Sequence, residues 1–398
     1  KSSRVTGSRA SLLVFGTLVL CTSFGEVATG LIVPALPALG HEFGETPATI
    51  QLSLVAFSVM FAVGQLFFGP FSDRKGRRVA LMFGAGLTLT GSVVSALGDS
   101  ISMVVLGRAI QGLGGASGYV VSRAIVQDIY GADGAPKAMA ALFALMAASF
   151  LAAPLVGGVL LDFAGWRAGF AFAGLIALAW ALSTFFVLPE TGTIVEPRNF
   201  EKTYIVYFKL LRHKGFLAFM LAHSIGYAGL YCFVAGGPYY FIDGLGTAPS
   251  TYGVIAAIVM SGFLTGSFVA RATIPRWGSE RVINISLGLM FFPPMGLAVM
   301  AFTDCLWLPT TIALQFAFWF GGGYLAPNTA AGVMMSHPKA AGAAAAVLGF
   351  VQMCAAAAVS LAQGIIYTGT VFPIVMMQAA LGLVAWLVWA RLKPFAIR

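Results

Sequence analysis

The stretch GQLFFGPFSDRKGRR (residues 64–78) places a short charged turn between two long apolar runs. Asp73 and the basic residues that follow it lie in the turn, whereas the flanking runs 47–71 and 79–98 contain no charged residue. Apolar runs of this length are typical of helices that cross about 30 Å of hydrocarbon at a rise of about 1.5 Å per residue. The stretch therefore predicts a loop at a membrane surface between two spanning helices.

The rest of the chain repeats this alternation. Hydrophobic residues make up 59% of the sequence and charged residues 9%, against roughly 45–50% and about 25% in soluble domains. An ordinary soluble protein is excluded, and because only a helix satisfies its own backbone in this setting, we predict an all-α membrane protein. Its twelve transmembrane helices are expected near residues 11–38, 47–71, 79–98, 101–129, 137–161, 166–188, 216–243, 250–273, 282–302, 307–335, 340–366 and 371–390.

The longest polar connection, residues 189–215, separates two sets of six spans. An offset of 202 residues pairs residues of turn and helix-packing types: Gly44 with Gly246, Pro47 with Pro249, Gly64 with Gly266, Arg74 with Arg276, Gly76 with Gly278, and Gly86 with Gly288. Two parallel halves related by an axis along the membrane normal are a transporter architecture. We predict two pseudo-symmetric six-helix bundles, 1–188 and 216–398, with 189–215 as a cytoplasmic linker and a substrate site between the bundles.

The basic residues predict the orientation of the chain. Lysine and arginine total 23 and aspartate and glutamate 14, a formal net charge of +9. If the N-terminus lies inside, Arg167 is the one basic loop residue that faces outside, whereas Arg108 and Arg123 lie within the fourth span. We expect both termini in the cytoplasm and the positive charge against the anionic inner leaflet of the lipid bilayer, with no nucleic-acid partner.

Several motifs carry a family resemblance. The 64–78 turn resembles the loop signature between helices two and three of the major facilitator superfamily, and Gly69, Asp73, Arg74, Gly76, Arg77 and Arg78 fall on its pattern. RAIQG (108–112) resembles the fourth-helix motif of proton-linked members. SFLAAPLVGG (149–158) resembles the fifth-helix antiporter motif, with Ser149 and Ala153 where glycines are common.

With SRAIVQDIY (122–130) and WRAGF (166–170), the whole chain resembles the drug-proton antiporter branch that contains the bicyclomycin and chloramphenicol exporters. The resemblance implies the major facilitator fold and proton-coupled secondary active export of small amphipathic compounds, that is, multidrug efflux by alternating access. It also implies a location in the bacterial inner membrane.

Glu26 lies in the middle of an uncharged run in the first span. A charge at the bilayer centre costs at least about 2.5–3.5 kcal/mol, so this side chain should face protein or water. The branch often carries a helix-one aspartate where this chain has Gly30, and Glu26 lies one turn earlier. Because a low dielectric favours the neutral form of a carboxylate, we assign Glu26 to proton coupling. The alternative is a glutamate held by Thr22 or Thr29 for packing alone.

Arg108 is the second predicted proton-coupling residue. A guanidinium keeps its proton and must find acceptors, and Glu26 is a candidate acceptor at comparable depth. The resemblance implies a part in proton translocation, and the alternative is a structural ion or helix-dipole contact. Gln111, in the same motif, is predicted to contact substrate, although glutamine often only joins helices by hydrogen bonds.

Charged and glycine residues at the inner surface form a predicted gating set: Gly69, Asp73, Arg74, Gly76, Arg77, Arg78, Arg123 and Asp128. Charge-assisted hydrogen bonds between helix ends can lock one arrangement of the halves and release another. Anchoring to the inner leaflet is the alternative, and it explains Lys75 better than Asp73. The antiporter-motif residues are Pro154, Gly157 and Gly158, which permit a bend and close helix approach; the alternative is packing alone.

His223, Tyr227 and Tyr231 recur every four residues and form one polar, aromatic stripe on the seventh span. Facing a cavity, the stripe would stack on and hydrogen-bond a flat amphipathic substrate. Further predicted wall residues are Phe57, Met60, Gln315, Trp319 and Gln352. Aromatic residues of membrane helices more often pack or lie at interfaces. His223 is also a candidate second titrating group.

The sequence contains no enzyme motif, and GLGG (112–115) fits close helix packing better than a phosphate loop. The four cysteines show neither metal-ligand spacing nor a disulfide framework. We therefore expect a monomeric transporter with protons and a small molecule as partners and without cofactor or metal. Two alternatives stay open: a carrier of one metabolite, such as a siderophore or amino-acid derivative, and a non-transporting membrane receptor.

Overall fold

The computed structural model describes residues 8–192, 206–337 and 340–393, and within these ranges the secondary structure is helical with no strand. The helices of the first half are α1 (Ser8–Ile32), α2 (Leu36–Phe43), α3 (Pro47–Lys75), α4 (Arg77–Ala96), α5 (Ile101–Ala164) and α6 (Trp166–Val187). Those of the second half are α7 (Lys214–Pro238), α8 (Pro249–Trp277), α9 (Ser279–Phe302), α10 (Leu308–Met335), α11 (Ala341–Ile366) and α12 (Phe372–Leu392).

The first predicted span, 11–38, comprises more than one helical element. After α1 the chain forms a single 3₁₀ turn, Val33–Ala35, and then continues as α2. Pro34 and Pro37 lack the N–H groups that a continuous α-helix needs, which accounts for the interruption. The span ends at Gly44, whose φ of 64° is one that glycine adopts without strain.

The fourth and fifth predicted spans meet almost without a loop. Helix α5 runs from Ile101 to Ala164 and is broken at Gly131, where φ is 65° and ψ is −173°. The break falls between the predicted spans 101–129 and 137–161. We treat the residues before and after Gly131 as the first and second parts of α5.

Ten helices of the described residues are long and apolar enough to cross a membrane. The first part of α5 and helix α10 are not among them, although both are long enough. Each carries polar side chains and clustered glycines, such as GLGG in α5 and GGG at 321–323 in α10, which lower the mean hydropathy. The chain is a multi-pass membrane protein whose fourth and tenth predicted spans are its least apolar helices.

The 202-residue repeat also appears in local backbone conformation. Helices α3 and α8 each contain 29 residues and begin at the paired prolines, Pro47 and Pro249. Gly44 and Gly246 both have a φ of 64°. Gly76 and Gly278, which precede α4 and α9, both have positive φ, at 99° and 76°. The repeat predicted from the sequence therefore recurs at the turns before and after α3 in the first half and α8 in the second half.

Backbone contacts divide the chain into two units. Unit 1 is Lys1–Glu45 with Leu52–Pro197, and unit 2 is Thr46–Gln51 with Arg198–Arg398. Residues 193–205 of the predicted linker lie outside the described residues, so the boundaries 1–188, 189–215 and 216–398 stay a prediction.

Each unit has its own helix packing. In unit 1, α5 packs against α1 and α4, and α6 packs against α4 and α1. In unit 2, α10 packs against α8 and α9, while α7 packs against α11 and α12. A side chain at Gly64 would meet α5, and one at Gly266 would meet the backbone of α10. Small residues thus let the helices approach closely in both units.

Candidate functional site

Arg108 is fully buried in unit 1 and lies between α1, α3 and α5. Its exposed fraction is 0%, and its Nη1 donates to Gln111 Oε1 at 2.6 Å and to the Ala28 carbonyl at 3.3 Å. The guanidinium carbon lies 4.0 Å from the centre of the Phe57 ring, which places the charge over an aromatic face. The arrangement holds a permanent positive charge in the interior beside helix α1.

Gln111 links two helices in addition to binding Arg108. Its Nε2 donates to Ser92 Oγ of α4 at 2.8 Å, and the Ser92 hydroxyl donates to the Thr88 carbonyl at 2.8 Å. Gln111 is fully buried. Both ends of its amide are therefore engaged by protein groups, and its predicted contact with substrate stays a prediction.

Glu26 lies in the second half of α1 and is partly buried. Among the residues that the structure describes, no hydrogen bond or ion pair joins Glu26 to another side chain. The hydroxyl of Thr29 donates to the Gly25 carbonyl instead, and that of Thr22 is buried without a hydrogen bond. Neither threonine holds the carboxylate, so the packing alternative has no support at these two residues.

Glu26 was the candidate acceptor for the Arg108 guanidinium. Arg108 approaches α1 at Ala28, and residues two apart on a helix point about 200° away from each other. The acceptors of the guanidinium are an amide and a backbone carbonyl, and Phe57 covers its face. These contacts of Arg108 do not include Glu26, and a pairing of the two residues stays a prediction.

The charged turn of unit 1 forms a network around Arg77. We call this end of the unit, where α3 ends and α4 begins, the motif end of unit 1. Arg77 donates from Nη1 to Asp73 and to Ser72 Oγ (2.7 Å), and from Nε to Asp128 Oδ2 at 3.1 Å. The two carboxylates belong to α3 and to the first part of α5, so one guanidinium joins three helices.

Glu190 is a member of this network that sequence reasoning missed. Its carboxylate accepts from the backbone N–H groups of Arg77 (2.7 Å) and Arg78 (3.1 Å), the first residues of α4. A carboxylate at a helix N-terminus satisfies otherwise unpaired donors and interacts favourably with the helix dipole. Thr191 donates to Asp128 Oδ2 at 3.3 Å. The segment after α6 is therefore bound to the motif end as well.

The remaining gating residues differ in their contacts. Arg78 donates to the Phe185 carbonyl near the end of α6. Arg123 donates to the Tyr119 carbonyl at 2.9 Å and covers the Tyr119 ring, so its described contacts stay within its own helix. Arg74 is exposed at the end of α3. A methyl group at Gly69 would make only an ordinary van der Waals contact, whereas a side chain on Gly76 would meet the Glu190 carboxylate.

The antiporter-motif residues lie where α5 meets α1. Pro154 lies within the helix, and Gly157 and Gly158 are buried. A side chain on Gly157 would meet the backbone of Leu31, and one on Gly30 would meet Ala153 and Pro154. Close packing of these two helices accounts for the small residues, and a role in antiport stays a prediction.

His223 joins three helices of unit 2. Its Nδ1 lies 2.9 Å from Thr329 Oγ1 of α10, and its Nε2 lies 3.0 Å from Gln352 Oε1 of α11. The rings of Tyr227 and Tyr231 lie 5.3 Å apart on α7. His223 and Tyr227 also line a small cavity. The predicted stripe is thus a continuous polar and aromatic surface, which includes Gln352.

Other predicted wall residues have different surroundings. Gln315 exchanges two amide hydrogen bonds with Gln378 of α12, at 2.9 and 3.2 Å. Trp319 is 1% exposed and packs edge-on against Phe233, with ring centres 6.0 Å apart. In unit 1, Met60 is partly buried. The structure does not bring Gln315 or Trp319 into the His223 group, and their contact with substrate stays a prediction.

The corresponding end of unit 2, where α8 ends and α9 begins, has other chemistry, and we call it the motif end of unit 2. Ser279 Oγ donates to Asn328 Oδ1, and Asn328 Nδ2 donates back to the Ser279 carbonyl at 2.9 Å. Lys393 pairs with Glu280 at 2.6 Å. Among the described residues no cluster of three or more potential metal ligands occurs.

A family model described as Major Facilitator Superfamily matches residues 18–363. The chain belongs to the major facilitator superfamily. This result confirms the family predicted from the motifs and indicates a membrane transporter of small molecules instead of an enzyme.

Curated relatives carry names from the predicted branch. A bicyclomycin resistance protein homolog of Haemophilus influenzae is 26% identical over 354 residues, covering 87% of this chain and 86% of that protein. Multidrug resistance protein D of Escherichia coli is 26% identical over 84% of each chain. A chloramphenicol resistance protein of Pseudomonas aeruginosa is 27% identical over 79% of this chain and 73% of that protein. The predicted resemblance to this branch is confirmed.

Solved structures show the same fold. A D-xylose-proton symporter superposes with a TM-score of 0.79 over 97% of this chain and 98% of that chain, at 18% identity. A bacterial homologue of the lysosomal transporter Spinster superposes with a TM-score of 0.73 over 98% and 97%, at 15% identity. The chain thus has the major facilitator fold, which confirms the predicted fold class.

Proposed function

We propose that the chain is a proton-coupled exporter of small amphipathic compounds, acting by alternating access as a monomer in the bacterial inner membrane. Relatives named for resistance to bicyclomycin, chloramphenicol and multiple drugs support this substrate class. The basic loops support an orientation with both termini in the cytoplasm. Protons and the exported compound are the proposed partners, without nucleic acid.

The observation that carries the proposal is the carboxylate of Glu26 within α1. Among the described residues it has neither a cation nor a hydrogen-bond donor beside it. An ionised carboxylate at mid-membrane costs at least about 2.5–3.5 kcal/mol, whereas a protonated one avoids this cost. The charge at Glu26 therefore depends on the supply of protons, as a group that exchanges protons for substrate requires.

Arg108 has a complementary role in the proposal. Gln111 and the Ala28 carbonyl hold its guanidinium beside α1 whether or not Glu26 is protonated. The role of Arg108 in the proposal is to keep a permanent positive charge in the interior of unit 1 throughout the cycle, because a guanidinium does not release its proton. The proposed cycle thus needs no direct bond between Glu26 and Arg108.

The network around Arg77 is the proposed gate of unit 1. Asp73, Asp128 and Glu190 hold the ends of α3, α4, α5 and the segment after α6 in one arrangement. Charge-assisted hydrogen bonds are strong enough to favour one state, yet they exchange for water when helix ends separate. The proposed gating residues bind one another and are not expected to contact substrate.

The test compares Glu26→Gln with wild type in proteoliposomes. The imposed proton gradient should drive uphill transport of chloramphenicol or bicyclomycin by wild type, with release of protons when substrate is added. Glu26→Gln imitates the protonated carboxylate permanently, so the folded variant should exchange substrate downhill but should not concentrate it.

Glu42→Gln is a matched control. Glu42 is half-exposed at the end of α2 and pairs with Arg167 at 3.2 Å, so its replacement should leave uphill transport intact. Concentrative transport by Glu26→Gln at the wild-type rate would place the coupling group elsewhere. If wild type moves none of the compounds, the proposed substrate class is wrong.

A further inference from the structure

The His223 group of unit 2 has a hydrogen-bonding pattern that the proposed role of Glu26 does not use. His223 Nδ1 lies 2.9 Å from Thr329 Oγ1, and Nε2 lies 3.0 Å from Gln352 Oε1. Both ring nitrogens are therefore engaged, each by an oxygen from a different helix. Which nitrogens carry hydrogen follows from what these oxygens do elsewhere.

Thr329 has one hydroxyl hydrogen and several acceptors near it. Its Oγ1 lies 3.0 Å from the Leu325 carbonyl and 3.2 Å from the Ala326 carbonyl, the usual partners of a helical threonine. When the hydroxyl donates to either carbonyl, its lone pairs face His223 Nδ1, which must then carry a hydrogen. Gln352 Oε1 accepts only, so Nε2 must carry a hydrogen too.

A histidine with hydrogen on both nitrogens is an imidazolium cation. The same atoms also accommodate the neutral ring, because the Thr329 hydroxyl can turn away from the backbone and donate to Nδ1. No heavy atom has to move between the two states. The site can therefore take up or lose one proton at the cost of rotating a single hydroxyl.

The helices around His223 supply acceptors but no counter-ion. Helices α7, α10 and α11 contain one charged residue among them, Lys214 at the start of α7, which is about 13 Å along the helix from His223. On the packed helices α8, α9 and α12 the charged residues are Arg271, Arg276, Glu280, Arg281 and Arg391, and the turn after α7 carries Asp243. Glu280 pairs with Lys393, and among the described residues no ion pair to His223 occurs. Tyr227, which also carries a titratable group, lines the same small cavity. Hydrogen bonds alone would therefore hold the proton.

We propose that His223 is a second proton-binding site of the transporter, with Thr329 and Gln352 as the positioning residues that make both protonation states possible. The site belongs to unit 2, whereas Glu26 belongs to unit 1. Because hydrogen bonds without a counter-ion hold the proton only transiently, the site is suited to transfer and not to storage. The transport part of this inference rests on the proposed proton coupling, but protonation of the site does not.

A direct test uses nitrogen-15 NMR of histidine-labelled protein in nanodiscs. The chain contains four histidines, and His223→Gln identifies the resonance of interest by its disappearance. Between about pH 8 and about pH 4, His223 should begin to change from a ring with one protonated and one bare nitrogen to a ring with two protonated nitrogens. A ring that stays neutral throughout this range would overturn the proposal.

Matched variants test the positioning residues. Thr329→Ser keeps the acceptor and should leave the titration unchanged, whereas Thr329→Val removes it and should reduce the charged fraction of His223 at about pH 6 by about tenfold. Gln352→Glu adds a counter-ion and should keep His223 charged at neutral pH. Equal titrations in the serine and valine variants would show that Thr329 does not position the proton.

The transport measurements separate this inference from the proposed function. His223→Gln should change the pH dependence of uphill transport, whereas Glu26→Gln should abolish uphill transport and leave the NMR titration of His223 intact. If Glu26→Gln still pumps while His223 titrates, the Glu26 proposal fails and the His223 site stands. If His223 titrates but His223→Gln leaves the pH profile unchanged, the site is not part of transport and the inference fails.

Discussion

The motif ends of the two units have similar backbone conformations but different side-chain interactions. Gly76 and Gly278 have the same left-handed turn before α4 and α9. In unit 1, Arg77 binds two carboxylates and Glu190 binds the start of α4. In unit 2 the motif end contains a neutral amide–hydroxyl contact between Ser279 and Asn328 and one surface ion pair. The repeat therefore preserves the turn, while charge that links several helices is concentrated in unit 1.

This difference indicates at which end charged side chains can hold several helices in one arrangement. An exposed ion pair such as Glu280 with Lys393 stabilises by about 0–1 kcal/mol. The side chain of Arg77 is only 14% exposed and binds both Asp73 and Asp128. Its ion pairs should therefore stabilise the folded state more than the pair of Glu280 with Lys393 does. We therefore expect substitutions at the two ends to have unequal effects.

The largest effect is expected for Arg77→Ala. Loss of the guanidinium leaves Asp73 and Asp128 facing each other without a cation, so the transport rate should fall by about tenfold or more, equivalent to about 1.4 kcal/mol. The matched change in unit 2, Lys393→Ala, should lower the rate by less than about twofold. Initial rates of drug-driven proton release in proteoliposomes provide the comparison, and equal losses would remove the distinction between the ends.

A second comparison replaces the paired glycines. Positive φ costs a residue with a side chain about 1–2 kcal/mol, so Gly76→Ala and Gly278→Ala should both lower the thermal unfolding temperature. The loss should be greater for Gly76→Ala, because its methyl group would also meet the Glu190 carboxylate, whereas the space beside Gly278 is open. Thermal unfolding in matched detergent measures both variants, and a greater loss at Gly278 would contradict the described packing.

A smaller effect is expected for Glu190→Gln. Replacement of the carboxylate weakens the hydrogen bonds to the Arg77 and Arg78 amides by about 1 kcal/mol or less. Hydrogen exchange at these two amides should therefore accelerate about fivefold. Glu280→Gln provides the control, since the carboxylate of Glu280 binds Lys393 and not the start of α4. Unchanged exchange in Glu190→Gln would exclude this capping role.

The smallest effect concerns pH at the motif end of unit 2. His213 Nδ1 accepts from the Phe216 N–H at 3.1 Å, and its ring meets that of His337 edge-on at 4.7 Å. Burial, and then the proximity of His213, lowers the pKa of His337. Neutral His337 therefore stabilises the folded state above about pH 6.5, and this contribution is lost as the pH falls towards its lowered pKa.

Hydrogen exchange at the Phe216 amide tests the direction of this pH dependence. Protection of its amide should decrease between about pH 7.5 and about pH 5.5 in wild type, beyond the intrinsic change in exchange rate. His337→Gln should remove that extra decrease. The charged network of unit 1 should show no such transition in this range, and a matching decrease at the Arg77 amide would break the contrast between the two ends.

The sequence predicted the helices and the members of the charged network well, because both depend on local signals. Runs of apolar residues locate the spans, and the paired prolines Pro47 and Pro249 both begin helices. Asp73, Arg77 and Asp128 were predicted to interact, since charges at the ends of membrane helices have few other partners. The spans follow from composition, whereas the members of the network came from the resemblance to the family's loop signature.

The side-chain partners were predicted less well. Arg108 binds Gln111, three residues further along its own helix, a contact that was not predicted from the sequence. Glu190 was missed because a sequence does not tell which helix ends are neighbours in space. Gln315 was predicted to contact substrate, but its amide binds Gln378. The partner could not be predicted, because an intramembrane helix is apolar on all sides and its periodicity does not reveal the face that meets another helix.

The two least apolar helices affect how the protein is made. A nascent segment leaves the translocon for lipid according to its summed insertion free energy, and an arginine at mid-helix adds about 2.5–3.5 kcal/mol to that sum. The first part of α5 carries Arg108, and α10 carries two amide side chains and a run of glycines. Each packs against a more apolar preceding helix, α4 or α9. We therefore expect the first part of α5 to enter the bilayer together with α4, and α10 together with α9, each pair as a helical hairpin. In each pair the more apolar helix, α4 or α9, assists the insertion of the helix that follows it.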